Sequence, residues 1–131
     1  MIALDTNVLV RFVVADDPEQ AAAAKALVAR ATAQGEALFV SDVVLCEFVW
    51  VLQAAYRFAR GVIVQTLGRL LAARALSFRD SAALARTVDA FARGKGDFAD
   101  YVILAHAREA GCEKVATFDR ALLKEAHFVR P

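Results

Sequence analysis

Residues 1–10 read MIALDTNVLV: an apolar run, Ile2-Ala3-Leu4, is cut by Asp5-Thr6-Asn7 and resumes as Val8-Leu9-Val10. A short apolar run that ends in an acid and passes at once into a second one fits a strand, Met1–Leu4, followed by a helix, Thr6–Val14. The same grammar recurs downstream. Asp16-Asp17-Pro18 sets a cap and a proline at the first helical position ahead of an alanine-rich helix, Glu19 to Ala33, closed by Gly35. A strand over Ala37–Val40 follows, and then Ser41-Asp42 caps a long helix reaching about Phe58. Gly61 is expected to separate it from a helix over Val62 to Ala73. Next come a weak strand, Ala75–Phe78, a helix from Ser81 to Ala92, and the loop Arg93-Gly94-Lys95-Gly96. A nearly all-apolar helix, Phe98–Ala110, ends at Gly111. The remainder predicts a strand Val115–Phe118, a short helix Arg120–Ala126 and a last strand His127–Val129. Short, uniformly apolar strands alternating with helices imply an α/β class with a parallel sheet covered on both faces.

Composition narrows the classes. The 131 residues suit a single domain, 1–131, with a core large enough to fold. A net charge of +1 excludes nucleic-acid affinity driven by bulk charge and leaves local sites open. Cys46 and Cys112 stand alone, without metal-like spacing, and are expected to be buried, reduced thiols of a cytoplasmic protein. A strand starting at Met1 is expected to leave no room for a signal peptide. The apolar stretch Val43 to Tyr56 is interrupted by Glu47 and is too short to span a bilayer, so no membrane role is expected. The hydrophobic content, 59%, is high, and the surplus is expected on a surface for a partner chain or a second copy.

The acids carry the chemistry. Asp5 ends the first strand and Asp119 ends VATFD, and strand ends of an open parallel sheet are where functional groups gather. Asp97 and Asp100 stand three apart at a helix start and share a face. Taken singly, each of these is more simply a helix cap or a first-turn acid favoured by the helix dipole, as Asp42 and Asp80 are. Glu47 breaks that pattern. It lies in VVLCEFVWVL with four apolar residues before it and five after, and its helical neighbours Val43, Val44, Trp50 and Val51 are all apolar. Such a carboxylate is expected to turn inward to a partner rather than outward to water. If Asp5, Glu47, Asp100 and Asp119 converge, like charges at ~4 Å repel by about 4 kcal/mol in an effective dielectric near 20. A hard cation, Mg²⁺ or Mn²⁺, is the natural counterion for oxygen-only donors, and it can activate a water and neutralise a phosphoryl oxygen. Thr6, Asn7 and Thr117 are the hydrogen-bonding side chains beside these acids.

With these pieces in order, LDTNVLVR, SDVVLCEFVWVL, DFADYVILAHAREAG and VATFDR, the chain resembles the PIN-domain ribonucleases along nearly its whole length. Within that family it looks like the VapC-type toxins of bacterial toxin–antitoxin pairs. The resemblance implies a three-layer α/β/α sandwich with a short, mostly parallel central sheet. It implies catalysis by Asp5, Glu47, Asp100 and Asp119, with Asp97 as an additional metal ligand and Thr6, Asn7 and Thr117 in support. Whether Asp97 or Asp100 ligates directly stays open. It also implies an endoribonuclease using Mg²⁺ or Mn²⁺, in-line attack of water leaving a 5′-phosphate and a 3′-hydroxyl, a homodimer, and a small VapB-like antitoxin. Arg11, Arg57, Arg60, Arg93 and Lys95 are candidates to guide RNA, against the simpler reading of solvated surface charge. His106 and His127 receive no ligand role. Two rivals remain. Another Mg²⁺-dependent phosphoryl hydrolase would want a second acid where Asn7 stands, or a receiver-type lysine that VATFD lacks. A catalytically silent PIN-like binding module would not need all four acids.

Overall fold

The computed structural model describes residues 1–131, which divide into two compact units, Met1–Ser81 and Ala82–Pro131. The fold class is the expected one: helices alternate with short parallel strands in the three-layer α/β/α, PIN-like manner.

In the first unit, β1 (Ile2–Ala3), β2 (Leu38–Phe39) and β3 (Leu76–Ser77) form a parallel sheet in the order β1-β2-β3, with Ile2 opposite Leu38 and Leu38 opposite Leu76. The ladder runs on past these residues, since the Leu4 amide donates to the Phe39 carbonyl at 2.8 Å and the Val40 amide to Ser77 at 2.9 Å. The connections are α1 (Thr6–Val13) and α2 (Pro18–Gln34), then α3 (Asp42–Ala54) and α4 (Arg60–Ala72). Asp17 caps α2 as expected, its Oδ1 accepting from the Gln20 amide at 3.1 Å. Ser41 caps α3 through Val44, which leaves Asp42 to pair with Arg79 at 3.3 Å. Gly35, at φ 65°, ends α2 with the Glu36 amide on the Ala31 carbonyl, a left-handed turn that costs glycine nothing. Leu9, Val40, Phe48, Leu52 and Ile63 are fully buried and fill the core.

The second unit holds nearly all of α5 (Ser81–Arg93), then α6 (Phe98–Glu109), β4 (Val115–Ala116), a single 3-10 turn (Leu122–Lys124) and β5 (Phe128–Val129). β4 and β5 form their own parallel ladder, so the strands fall into two sheets rather than one. Phe91 and Phe98 pack edge to face at 5.7 Å in the core of this unit, and Tyr101 packs on Phe128 at 6.4 Å. No helix is long and apolar enough to cross a membrane.

Four expectations need correction. The third helix stops at Ala54, not near Phe58: Arg57 turns the chain at φ 55° and the Phe58 amide reaches back to Leu52. That turn is the break assigned to Gly61, which instead lies in the first turn of α4, where a helix tolerates glycine best. The helix over Arg120–Ala126 is only the 3-10 turn, since so short a segment has too few hydrogen bonds to offset helix nucleation. Finally, the burial expected of every strand fails at β1, where Ile2 is 55% exposed, whereas Leu38 of β2 and Leu76 of β3 are buried.

Candidate active site

Asp5 occupies the cap position of α1 with extended backbone, and its main-chain carbonyl takes the Val8 and Leu9 amides at 3.1 and 3.3 Å. Its carboxylate makes no capping bond. The comparison with Asp17, which does cap, is instructive: the backbone arrangement is alike, but the Asp5 oxygens stay uncommitted at an exposed helix start. A helix N-terminus favours the negative charge there.

Thr6, one residue on, is 6% exposed, and its hydroxyl donates to Glu47 Oε2 at 3.1 Å. The packing of α1 on α3 brings these residues together across 41 positions. Glu47 itself is exposed, contrary to the inward orientation expected of it. The reason lies in α3, whose apolar residues do not all face one way. Leu45, Phe48, Val49 and Leu52 are buried, whereas Val43 and Trp50, on the same helical face as Glu47, are each 67% exposed. Apolar neighbours in sequence therefore do not imply burial here. Thr6→Val deletes only the hydroxyl. The expected result is a loss of about 1 kcal/mol or less of stability, because water can replace the donor at an exposed carboxylate. Activity should fall more than stability does, read by comparing melting temperature with RNA hydrolysis.

Asn7 is exposed and lines, with Val8, Arg11, Gln20 and Leu27, a cavity of about 380 Å³ between α1 and α2. Arg11 is committed to local structure: it donates to Gln20 Oε1 at 2.7 Å, to Asp16 at 3.3 Å and to the Tyr56 hydroxyl at 3.3 Å. The thiols differ from expectation. Cys46 is only half-buried, and Cys112 is exposed, lying beyond α6 after Gly111. Burial, with the nearby charges of Asp42 and Glu47, pushes the Cys46 thiol up to about 11. It therefore stays protonated near neutrality. Mass spectrometry after iodoacetamide treatment of the folded protein should find Cys112 modified well before Cys46.

The second unit gathers acids. Asp97 is the residue before α6, and Asp100 reaches back so that its Oδ2 accepts the Asp97 amide at 2.8 Å. Burial raises the Asp100 carboxyl above its ordinary value; the Asp97 amide opposes this, and the charges of Asp97, Asp119 and Glu125 add to it. Asp119 does act as a cap: Oδ1 accepts the Ala121 and Leu122 amides at 2.8 and 3.2 Å, while its own amide donates to Thr117 Oγ1 at 3.0 Å. Thr117 thus fixes the turn that presents Asp119. No hydrogen bond of this capping set uses Asp119 Oδ2.

Sequence reasoning missed Glu125 and Tyr101. The Tyr101 hydroxyl donates to Glu125 at 2.8 Å and accepts the Gly96 amide at 3.0 Å. It ties α6, the glycine loop and the turn after Asp119 together. The only signal for it was the pair of glycines. A Cβ on Gly94 would fall inside the contact distance of the Tyr101 hydroxyl, and one on Gly96 would lie 2.5 Å from Leu122 Cδ2.

No lysine or arginine forms an ion pair with Asp5, Glu47, Asp97, Asp100 or Asp119; the two ion pairs of these acids' neighbours are Arg11–Asp16 and Arg79–Asp42. Nor are any three His, Cys, Asp or Glu side chains grouped closely enough to enclose a metal ion by themselves. Hard, uncompensated oxygen donors of this kind fit Mg²⁺, which keeps most of its waters and binds through one or two carboxylates together with substrate phosphates. In the second unit Asp100, with Asp97 or Asp119 near it, offers the one or two carboxylates that would hold it.

Compared with known families, residues 2–128 match the family model described as PIN domain. No curated protein matches the chain.

Proposed function

The chain belongs to the PIN-domain family, whose members are nuclease-type hydrolases acting on nucleic acids with divalent metals, and from that premise we propose that it is a Mg²⁺- or Mn²⁺-dependent endoribonuclease. The observation that carries this reading is the uncompensated charge around Asp100, whose carboxyl is raised by burial and by Asp97, Asp119 and Glu125 with no cationic side chain paired to it. A divalent cation supplies what that cluster lacks, and when bound it neutralises a phosphoryl oxygen and acidifies a water.

In this proposal the chain is a single domain, 1–131, and its catalytic acids are Asp5, Glu47, Asp100 and Asp119. Asp97 and Asp100 share the metal-binding role. Asp5, free of any capping bond, is the acid available to accept a proton from the attacking water. Thr6 orients Glu47 through its hydroxyl. Thr117 sets the turn that aims Asp119, and Asn7, two residues after Asp5, has a supporting role. Attack in line on phosphorus leaves a 5′-phosphate and a 3′-hydroxyl.

The biological role proposed is that of the cytoplasmic toxin of a VapC-type toxin–antitoxin pair, homodimeric and held silent by a VapB-like antitoxin. Its support is the exposed apolar surface: Val43 and Trp50 on α3 and Val62 on α4, large side chains that a protein partner would cover. The test is direct. Purified protein with Mn²⁺ should cleave single-stranded RNA to 5′-phosphorylated products, and EDTA or Asp5→Asn should stop it. Intact RNA beside hydrolysis of a small phosphomonoester would give the chain to a different phosphoryl hydrolase. Intact RNA with no hydrolysis at all would leave a silent binding module.

A further inference from the structure

A second feature of the Ala82–Pro131 unit has no place among the acids. Arg93, Gly94, Lys95, Lys124 and Glu125 line a cavity of about 270 Å³, floored by Ala90 and Ala121. Three cations face one carboxylate, in a chain whose whole formal charge is only +1. That carboxylate is already occupied. Glu125 accepts the Tyr101 hydroxyl with both oxygens, at 2.8 and 3.1 Å, and the Lys95 amide at 3.4 Å. Arg93, Lys95 and Lys124 form no ion pair. The loop that carries Arg93 and Lys95 is also pinned at its main chain, by Glu125 at Lys95 and by Tyr101 at Gly96. The charged side chains therefore project from a fixed backbone, which lowers the ordering cost of binding an anion.

We propose that this cavity is a binding subsite for a backbone phosphate of single-stranded RNA, one not itself cleaved. RNA is favoured over an acidic protein because the cavity adjoins acids of the proposed nuclease site: Lys95 stands two residues before Asp97, and the Gly96 amide between them binds the Tyr101 hydroxyl that Glu125 also holds. The proposal rests on the nuclease reading for its choice of ligand.

The experiment separates the two. Binding of a 5′-labelled oligouridylate is followed by fluorescence anisotropy in EDTA, where no metal-dependent cleavage occurs, across a potassium chloride series. Arg93→Ala and Lys124→Ala are compared with Arg30→Ala, an exposed cation on α2. Circular dichroism checks that each exposed substitution leaves the fold unchanged. For each of the two cavity variants, the slope of log affinity against log salt should flatten by about 0.7, the value for one phosphate contact on a single strand. Lys124→Glu should weaken binding further, and Arg30→Ala should keep the wild-type slope. Wild-type slopes in the cavity variants overturn the proposal, even if Mn²⁺-dependent cleavage is intact. Flattened slopes in a protein that never cuts RNA uphold the cavity and overturn the nuclease reading. Unchanged RNA binding with lost affinity for polyglutamate assigns the cavity to an acidic protein and also overturns the proposal.

Discussion

Asp100→Asn should abolish RNA hydrolysis, by about 10³-fold or more in kcat, the scale of losing one electrostatic anchor of a transition state, while the protein melts at a higher temperature than the wild type. The two effects have one cause. The folded chain raises the Asp100 carboxyl, first by burial and then through Asp97, Asp119 and Glu125, so the fold disfavours its charge. For an acid whose folded pKa lies above its unfolded one, stability is greatest below the unfolded value and is lost as pH rises through the folded value. As pH rises through the raised value the metal-free wild type takes on that penalty, and the amide does not. The difference in melting temperature between variant and wild type should therefore shrink as pH falls toward the ordinary aspartate value of 3.8. The amide oxygen can still accept the Asp97 amide, so the start of α6 is kept. Added Mg²⁺ or Mn²⁺ should raise the melting temperature of the wild type by mass action and leave the variant nearly unmoved. A variant less stable than the wild type at neutral pH and equally responsive to metal would sink the argument.

Gly94→Ala should cost about 1–3 kcal/mol, as overpacking at a filled site does. A Cβ at this position meets the Tyr101 hydroxyl and lies 2.6 Å from Tyr101 Cζ and 3.0 Å from the Ala90 carbonyl. Tyr101 is 3% exposed and packed on Phe128, so its ring has no easy retreat. Displacing it breaks the bonds to Glu125 and to the Gly96 amide together. Tyr101→Phe alone should cost less, about 1 kcal/mol for the lost hydroxyl bonds. Because that hydroxyl is the nearest clash, the double variant should be more stable than the sum of the single effects allows. Urea unfolding of the four proteins closes the cycle. Additive losses would mean that the alanine is absorbed elsewhere.

The acids illustrate how far a sequence can be read. Asp5, Asp17, Asp97 and Asp119 all stand at helix starts, and each is locally compatible with a cap. In the fold, Asp17 and Asp119 cap, Asp97 has its amide taken by Asp100, and the Asp5 carboxylate does not cap at all. Glu47 was singled out for its apolar neighbours, yet half of those neighbours face outward with it. Glu125 gave no signal because its partner lies 24 residues away.

The chain's local chemistry alone determined the α/β alternation, the caps at Asp17 and Ser41, the glycine stops at Gly35 and Gly111, and the roster of acids. Those features depend on contacts within a turn of the backbone, between residues at most five apart. That Glu47 meets Thr6 at an exposed surface, and that Tyr101 and Glu125 lock the glycine loop, were decided only by the tertiary structure. Those are contacts between distant segments, and a hydrogen bond across 24 or 41 residues is set by how helices pack.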